Sequence, residues 1–432
     1  MDPIASSAPF TRVVIDSMRK LYPEALADKS WDNTGLLLEA PFDPIRRQMN
    51  SVLLTVDLTR AVAEEAIERK DSVVIAYHPI IFRGLKSLSL ADSQQSSLLR
   101  LAQEGISVYS PHTAIDAAAG GLGDWLADIV TGIPTGQPEE EAEEEQSTES
   151  ETEGQENGDA ETPEESKTSE PSTPGTQNAD LDADDVFGGP SIQEDQQPQP
   201  PRYSSPTYPR RQTKKGSEVT AAAAAADNAD SASTTHTRTT ITPDPNFPNA
   251  GMGRLIRFPA PVPLETLISR IATALGSPKA IPLAIPQGRS ISDISIRGVA
   301  VCAGSGAGLF KELDRVDGGA EADLLFTGEM SHHDALAAIE KGKSVLTLFH
   351  SNTERGFLHE VLRPQLEKEI KARWTEFRED KVKELRDAKG GVGTTPMMNM
   401  GEWEEALEDE DVCVEVSERD RDPFGVVIAR DT

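Results

Sequence analysis

An apolar run, Leu346-Thr-Leu-Phe, ends in His350, and Glu354 follows four residues later. If a helix opens just after the histidine, imidazole and carboxylate converge above the end of that strand. Such a donor pair suits a catalytic divalent metal. The pattern recurs twice. Val73-Val-Ile-Ala-Tyr ends in His78, and Ile106-Ser-Val-Tyr-Ser-Pro leads to His112, with Asp116 four residues on. Three buried strands that each deliver a candidate ligand at the C-terminal end point to one metal site.

Each motif also has a plainer reading. Ser351-Asn-Thr-Glu354 resembles a helix capping box. His78 suits a buried histidine held by a backbone carbonyl, although Pro79 enforces an extended backbone that turns its ring out of the strand end. His112 fits a ligand, an orienting partner or a proton shuttle. Glu329 and Ser331 suit the opening turn of a helix that carries His332 and His333. Adjacent helical residues point about 100° apart, so at most one of these two histidines faces a cleft, to orient a ligand or contact substrate. Cys302-Ala-Gly-Ser-Gly-Ala-Gly308 can cradle an anion on backbone N–H groups or simply allow tight strand-to-helix packing, and it lacks the lysine of a P-loop. In Trp31-Asp-Asn-Thr-Gly35, Asn33 either lines the cleft or helps make a turn.

These side chains need alternating strands and helices to hold them. A first α/β half within 1–136 has helical spacing over 11–21, 58–69, 96–103 and 122–130, with β runs over 52–56, 73–76 and 106–109. A second half over 250–371 has β runs over 255–258, 294–301, 324–326 and 345–349 and helices over 264–275, 331–340 and 353–370. Continuous apolar strands between amphipathic helices predict mostly parallel sheets covered on both faces. The expected fold is two similar α/β halves around a shared metal-binding cleft. Residues 137–249 carry 25 acidic and 7 basic side chains and few large apolar ones, so a disordered acidic linker is expected there. Residues 372–432 read as a charged, exposed helix, a loop, and late edge strands over 412–416 and 426–428.

The net charge of -31 is concentrated in the linker, which accounts for -18 of it. The mildly acidic remainder argues against a general grip on nucleic acid. Cys302 and Cys413 provide neither a disulfide framework nor zinc-finger spacing, which fits a reducing compartment. No apolar run reaches membrane-spanning length. Met1-Asp-Pro-Ile-Ala-Ser-Ser has neither the pattern of a secretory signal nor that of an Arg-rich presequence. Cytoplasm is the expectation, with a nuclear or mitochondrial fraction as the alternative. Arg210-Arg-Gln-Thr-Lys-Lys215 is a weak nuclear import signal.

Together the motifs resemble the Nif-three-like family (Ngg-one-interacting factor three), also called GTP cyclohydrolase I type 2, in a eukaryotic, fungal-type form. The resemblance rests on Trp31-Asp-Asn-Thr-Gly35, Tyr77-His-Pro-Ile-Ile-Phe82, His112-Thr-Ala-Ile-Asp116, Gly120-Gly121, Thr327-Gly-Glu-Met-Ser-His-His333, His350-Ser-Asn-Thr-Glu354 and the tail Val416-Ser-Glu-Arg-Asp-Arg-Asp-Pro423. It implies two α/β halves around a dinuclear metal site. It also implies a homo-oligomer, because bacterial relatives form ring-shaped hexamers. By motif match, it implies His78, Asp116, His350 and Glu354 as metal ligands. The bacterial pattern has a second histidine where this chain has Tyr77. A phenol with a pKa near ~10 is a poor ligand, so one divalent ion, or a tight and a weak one, is implied, with zinc, iron or manganese as candidates.

The leading expectation is a metal-dependent hydrolase of a small phosphorylated or nucleotide-like substrate, in which His112 or Glu329 moves the proton. Tyr77, Asn33, His332 and His333 are the orienting or substrate-contacting candidates. The rival is a metal-stabilised scaffold that recruits a transcription-linked or other protein partner through the acidic linker. A third reading is an adaptor that delivers or buffers metal. No membrane partner and no direct nucleic-acid contact are expected.

Overall fold

The computed structural model describes residues 8–42, 48–132, 236–390 and 406–428. Residues 137–235 of the expected linker lie outside the described residues. In the first half, helix α1 (Pro9–Leu21) precedes strands β1 (Gly35–Leu38) and β2 (Ser51–Thr55), helix α2 (Arg60–Arg69) and strand β3 (Val73–Ala76). Helix α3 (Ser93–Gln103), strand β4 (Ser107–Ser110) and helices α4 (Thr113–Ala117) and α5 (Leu122–Thr131) follow. Side-chain caps start the covering helices: Thr59 accepts from the Val62 amide and Asp92 from the Gln95 amide.

The second half opens with β5 (Thr237–Pro243), β6 (Gly251–Pro263), helix α6 (Leu264–Ala274), β7 (Leu283–Ala284) and β8 (Ser295–Ser305). The short helix α7 (Ala307–Phe310), β9 (Ala322–Glu329), α8 (His332–Glu340) and β10 (Ser344–Thr347) complete its sheet. Short α9 (Arg355–Phe357), a wide π turn over Leu358–Leu362 and long α10 (Arg363–Gly390) replace the single helix expected over 353–370. Strand β11 (Cys413–Val416) comes last. Among the described residues, no helix is long and apolar enough to cross a membrane.

The first sheet runs β1-β4-β3-β2-β11, parallel throughout except at β1. The second runs β5-β6-β8-β9-β10-β7 and is parallel only over β8-β9-β10, with antiparallel strands added at both sides. Strand alternation splits the core into layers. Leu53 and Val74 face α2 and α3, whereas Val52, Leu54 and Ile75 share one inner cluster with Ile256, Val299 and Phe326 of the second sheet. Ala300, Leu325 and Val345 face outward towards α7 and α8. The halves are therefore joined through one core rather than hinged. The buried Arg254 of β6 adds a fork to Asp124 of α5, with Nε–Oδ1 at 2.7 Å and Nη2–Oδ2 at 2.9 Å.

Three further expectations change. The linker assignment to 249 is too long, because 237–243 forms β5. Its Thr-Arg-Thr-Thr-Ile-Thr run has only Ile241 buried, too weak an apolar signal to read as a strand. Residues 426–428 form no strand, and Val427 is 83% exposed. The C-terminal helix is not wholly exposed. Trp374 is 1% exposed, meets Phe10 of α1 edge-on at 5.5 Å, and donates its indole N–H to the Asp409 carbonyl. Trp374→Ala is therefore expected to destabilise the fold by about 3–5 kcal/mol, read as a lower urea midpoint at unchanged slope.

Candidate metal centre

Residues that follow the C-terminal ends of strands from both sheets meet in one place, as ligands do in open α/β sheets. Asp57 follows β2, His78 follows β3, His112 follows β4, and His350 and Glu354 follow β10. The imidazoles of His78 and His350 lie 5.1 Å apart, centre to centre, although they come from different sheets. Glu354 bridges them: its Oε2 is 3.5 Å from His78 Nε2 and its Oε1 is 3.6 Å from His350 Nε2. His112 packs edge-on against His78 at 5.5 Å. The backbone is strained at one of these positions and beside another, with φ of +36° at His112 and +66° at Phe349, just before His350.

The three donors fit a divalent cation. One atom from each of His78, His350 and Glu354 falls within a mutual 4.8 Å. Ligands about 2.1 Å from a tetrahedral ion sit about 3.4 Å apart, close to the two separations seen here. Glu354 is 2% exposed, and its Oε2 has no hydrogen-bond partner. A buried carboxylate oxygen without a hydrogen bond is costly, and a bound cation would lower that cost.

Each imidazole is held from behind by a carboxylate at Nδ1. Asp57 Oδ1 lies 2.9 Å from His78 Nδ1, Glu329 Oε1 2.9 Å from His350 Nδ1, and Asp32 Oδ1 2.6 Å from His112 Nδ1. In this arrangement the carboxylate accepts Nδ1–H and leaves Nε2 free to act as a ligand. Burial alone would lower the His78 pKa, but the charge of Glu354 and the hydrogen bond to Asp57 raise it to about 10. For Asp57 and Asp32 burial works upward, yet the hydrogen bonds to their histidines leave both carboxyls below the usual range.

Asp116 stands beside this cluster. Tyr77 donates its phenol O–H to Asp116 Oδ1 at 2.6 Å. Burial raises the Asp116 carboxyl to about 6 against the opposing pull of that hydrogen bond. Burial and the charges of Asp116 and Glu354 hold the Tyr77 phenol well above its ordinary value, so it remains a neutral donor. Burial first, then Asp116 and Glu354, also push the Cys302 thiol up.

The other sequence candidates lie elsewhere. Asn33 donates its side-chain amide to the Ile81 carbonyl, 48 residues away, while its neighbour Asp32 pairs with His112. His332 and His333 are both exposed and pack on each other at 5.3 Å, and neither is in the cluster. The glycine-rich turn lies against the cluster. A Cβ built on Gly304 would lie 2.9 Å from both Glu354 Oε1 and His350 Nε2, at a φ of +56°. Gly304→Ala is accordingly expected to block the site and strip bound metal, measurable as lost metal content in a still-folded protein. Asp57 and Asp32 were missed by sequence reading. A usable signal existed for Asp57, since Val52-Leu-Leu-Thr-Val ends in it as the other runs end in histidine.

Fold and site together define a two-sheet α/β protein with a carboxylate-backed His-His-Glu group able to hold a metal ion. The sequence matches the family model for Duf34/NIF3 (NGG1p interacting factor 3) over residues 11–381, and the chain belongs to that family. The Schizosaccharomyces pombe protein NIF3 homolog is 36% identical over 80% of this chain and 84% of its own length. The Saccharomyces cerevisiae NGG1-interacting factor 3 is 31% identical over 84% of this chain and 94% of its own. Human NIF3-like protein 1 is 33% identical over 77% and 81%, respectively. The fold resembles a Staphylococcus aureus hypothetical protein at a TM-score of 0.51 and 16% identity, covering 98% of this chain and all of that one. A Bacillus cereus protein related to NIF3 matches with the same score, identity and coverage.

Proposed function

We propose that the chain is a metal-dependent hydrolase of a small phosphorylated or nucleotide-like substrate. Its cation, zinc, iron or manganese, is held by His78, His350 and Glu354, with Asp116 as a further anionic donor. The observation that carries this reading is the buried Glu354 oxygen that faces His78 Nε2 and lacks a hydrogen-bond partner. When bound, the cation supplies Lewis acidity to a substrate oxygen and acidifies water. The chain's own residues do the rest. Asp57 and Glu329 hold the His78 and His350 rings with Nε2 inward. Glu329 is thereby engaged as an orienting group, which leaves His112, held by Asp32, as the proton-transfer residue. Tyr77 is committed to Asp116 as a donor, which favours one cation over two.

Trp31 and Phe82 support the nucleotide-like substrate. Their rings lie 6.0 Å apart, they are 50% and 44% exposed, and Trp31 packs on His112 at 5.7 Å. They offer apolar faces to a planar base next to the proton-transfer residue. The test is turnover of phosphate esters and nucleotides by full-length protein loaded with zinc, iron or manganese, beside His112→Gln. Metal-dependent hydrolysis that His112→Gln loses while keeping its metal supports the reading. Stoichiometric metal with no turnover on any ester sinks it.

A scaffold role is the second reading, favoured by the name of the S. cerevisiae relative, NGG1-interacting factor 3. In that reading the acidic segment recruits the partner, and deleting 137–235 abolishes partner capture while sparing metal binding. A homo-oligomer belongs to both readings. The exposed Leu85, Leu88 and Leu90 supply apolar contact surface, and a solution mass of one chain would remove it. Placement in the cytoplasm, with a nuclear or mitochondrial fraction, is part of the same proposal.

A further inference from the structure

The last described residues do more than end the first sheet. After β11 the chain is anchored by Glu65 of α2, which accepts from the Ser417 hydroxyl and from the Glu418 amide at 3.0 Å. It then enters the region behind the metal cluster. Asp420, 7% exposed, accepts the Val56 amide at 2.7 Å and pairs through the same oxygen with the buried Arg355. Val56 precedes Asp57, the residue that holds His78, and its carbonyl accepts the His78 amide at 3.0 Å. Arg355 follows Glu354 and donates from Nη2 to the Ser351 hydroxyl at 3.0 Å. Asp422 accepts the Ser351 amide at 3.1 Å and the Ser351 hydroxyl at 2.8 Å. Ser351 follows His350. Phe424 stacks at 6.3 Å on Phe349, the strained residue before it.

We propose that residues 417–422 form a positioning strap, in which Asp420 and Asp422 set the spacing between His78, supplied by the first sheet, and the His350–Glu354 pair, supplied by the second. This rests on the metal reading above. The chemistry is directional. One carboxylate oxygen of Asp420 receives a donor from each half, so a shift of either half stretches a charge-assisted hydrogen bond. Asp420 and Asp422 touch no donor atom of the cluster and act only through Val56, Ser351 and Arg355. Asp420 Oδ1 and Arg355 Nε are themselves buried without partners, so the pair is held for its geometry rather than for complete hydrogen bonding.

The test uses the full chain, with metal affinity read by chelator competition and metal-free stability read by urea unfolding. Asp422→Asn and Asp420→Asn are expected to weaken metal binding about 10- to 100-fold, the range typical of partners that orient ligands. Asp420→Glu is expected to restore part of that loss. Asp420→Asn leaves the Arg355 charge buried and unpaired, and the protein carrying it can fail to fold. The double variant Arg355→Met with Asp420→Leu removes both charges at similar volume and keeps the protein folded. If the strap positions the ligands, the double variant folds, less stably because the buried Val56 amide has lost its acceptor, and still binds metal weakly. If its metal affinity returns with its fold, the tail only packs and the proposal is overturned. Amide exchange gives a metal-independent arm: Val56 and Ser351 should lose protection in Asp420→Asn and Asp422→Asn, respectively, and unchanged protection overturns the proposal. A wild-type chain that binds no metal defeats the proposed function, and the exchange result then decides the strap alone.

Discussion

Full-length protein reconstituted with zinc, iron or manganese is expected to retain close to one ion per chain, and His350→Ala/Glu354→Ala to retain none. The physical case rests on what the pair leaves behind. Glu354 is 2% exposed beside two imidazoles, and without a cation its buried Oε2 has an ion pair with His78 at 3.5 Å but no hydrogen bond. Removing His350 and Glu354 together deletes two of the three converging donors while also deleting the buried charge, so the variant should fold. A ligand that binds only the native state stabilises it by about 4 kcal/mol at a thousandfold excess over its Kd. Metal should therefore raise the thermal midpoint of the wild type and leave that of the variant unmoved. Mass spectrometry of metal content settles the first half and a melting curve the second. A wild type that takes up no ion after reconstitution would remove the hydrolase reading and leave the scaffold.

The second large effect is on pH. His78 rises from 6.5 to about 10 in the metal-free fold, because Glu354 and Asp57 outweigh burial. Its folded pKa lies above its unfolded one. The stability contributed by its proton is therefore fully present below about pH 6.5 and is lost as pH climbs towards 10. A cation must displace that same proton. Apparent metal affinity should then climb by up to about tenfold per pH unit between 6.5 and 8.5, a hundredfold in all. The metal-dependent rise in melting temperature should grow over the same interval, while the metal-free midpoint falls or stays level. Chelator competition at three pH values reads this directly. An affinity flat across that range would mean that His78 is already neutral and is not held by Glu354. Asp57→Asn gives the control, since losing that carboxylate should lower the His78 pKa and flatten the slope.

How much of this was legible in the sequence depends on the range of the interactions. The parallel core strands announced themselves because each is a continuous apolar run, and β3 spans the expected 73–76. His78, His112, His350 and Glu354 were legible for the same reason. A donor placed just past a buried strand must emerge at the sheet's C-terminal edge, whatever else the chain does. The sequence could not show that the edges of two sheets face one another, because that depends on Arg254 reaching Asp124 and on one core shared by Val52 and Val299. Nor could it rank Asp57 and Asp32 above the chain's many other carboxylates, since their role is a hydrogen bond 21 residues away for Asp57 and 80 for Asp32. Strand β5 hid in a threonine-rich stretch because a mostly exposed edge strand carries almost no hydrophobic signal.

The sequence by itself determined the local facts: which apolar runs are core strands and where the donors sit along them. Tertiary structure alone decided which donors converge. It drew His78, His350 and Glu354 together and gave Tyr77 to Asp116. It exposed His332 and His333 on a helix surface and brought the tail from β11 round to Val56 and Ser351. The reason is that periodicity records what each residue does with respect to its own strand or helix. Convergence of side chains more than 270 residues apart, such as His78 and His350, depends on how separate elements pack, and no local pattern carries that information.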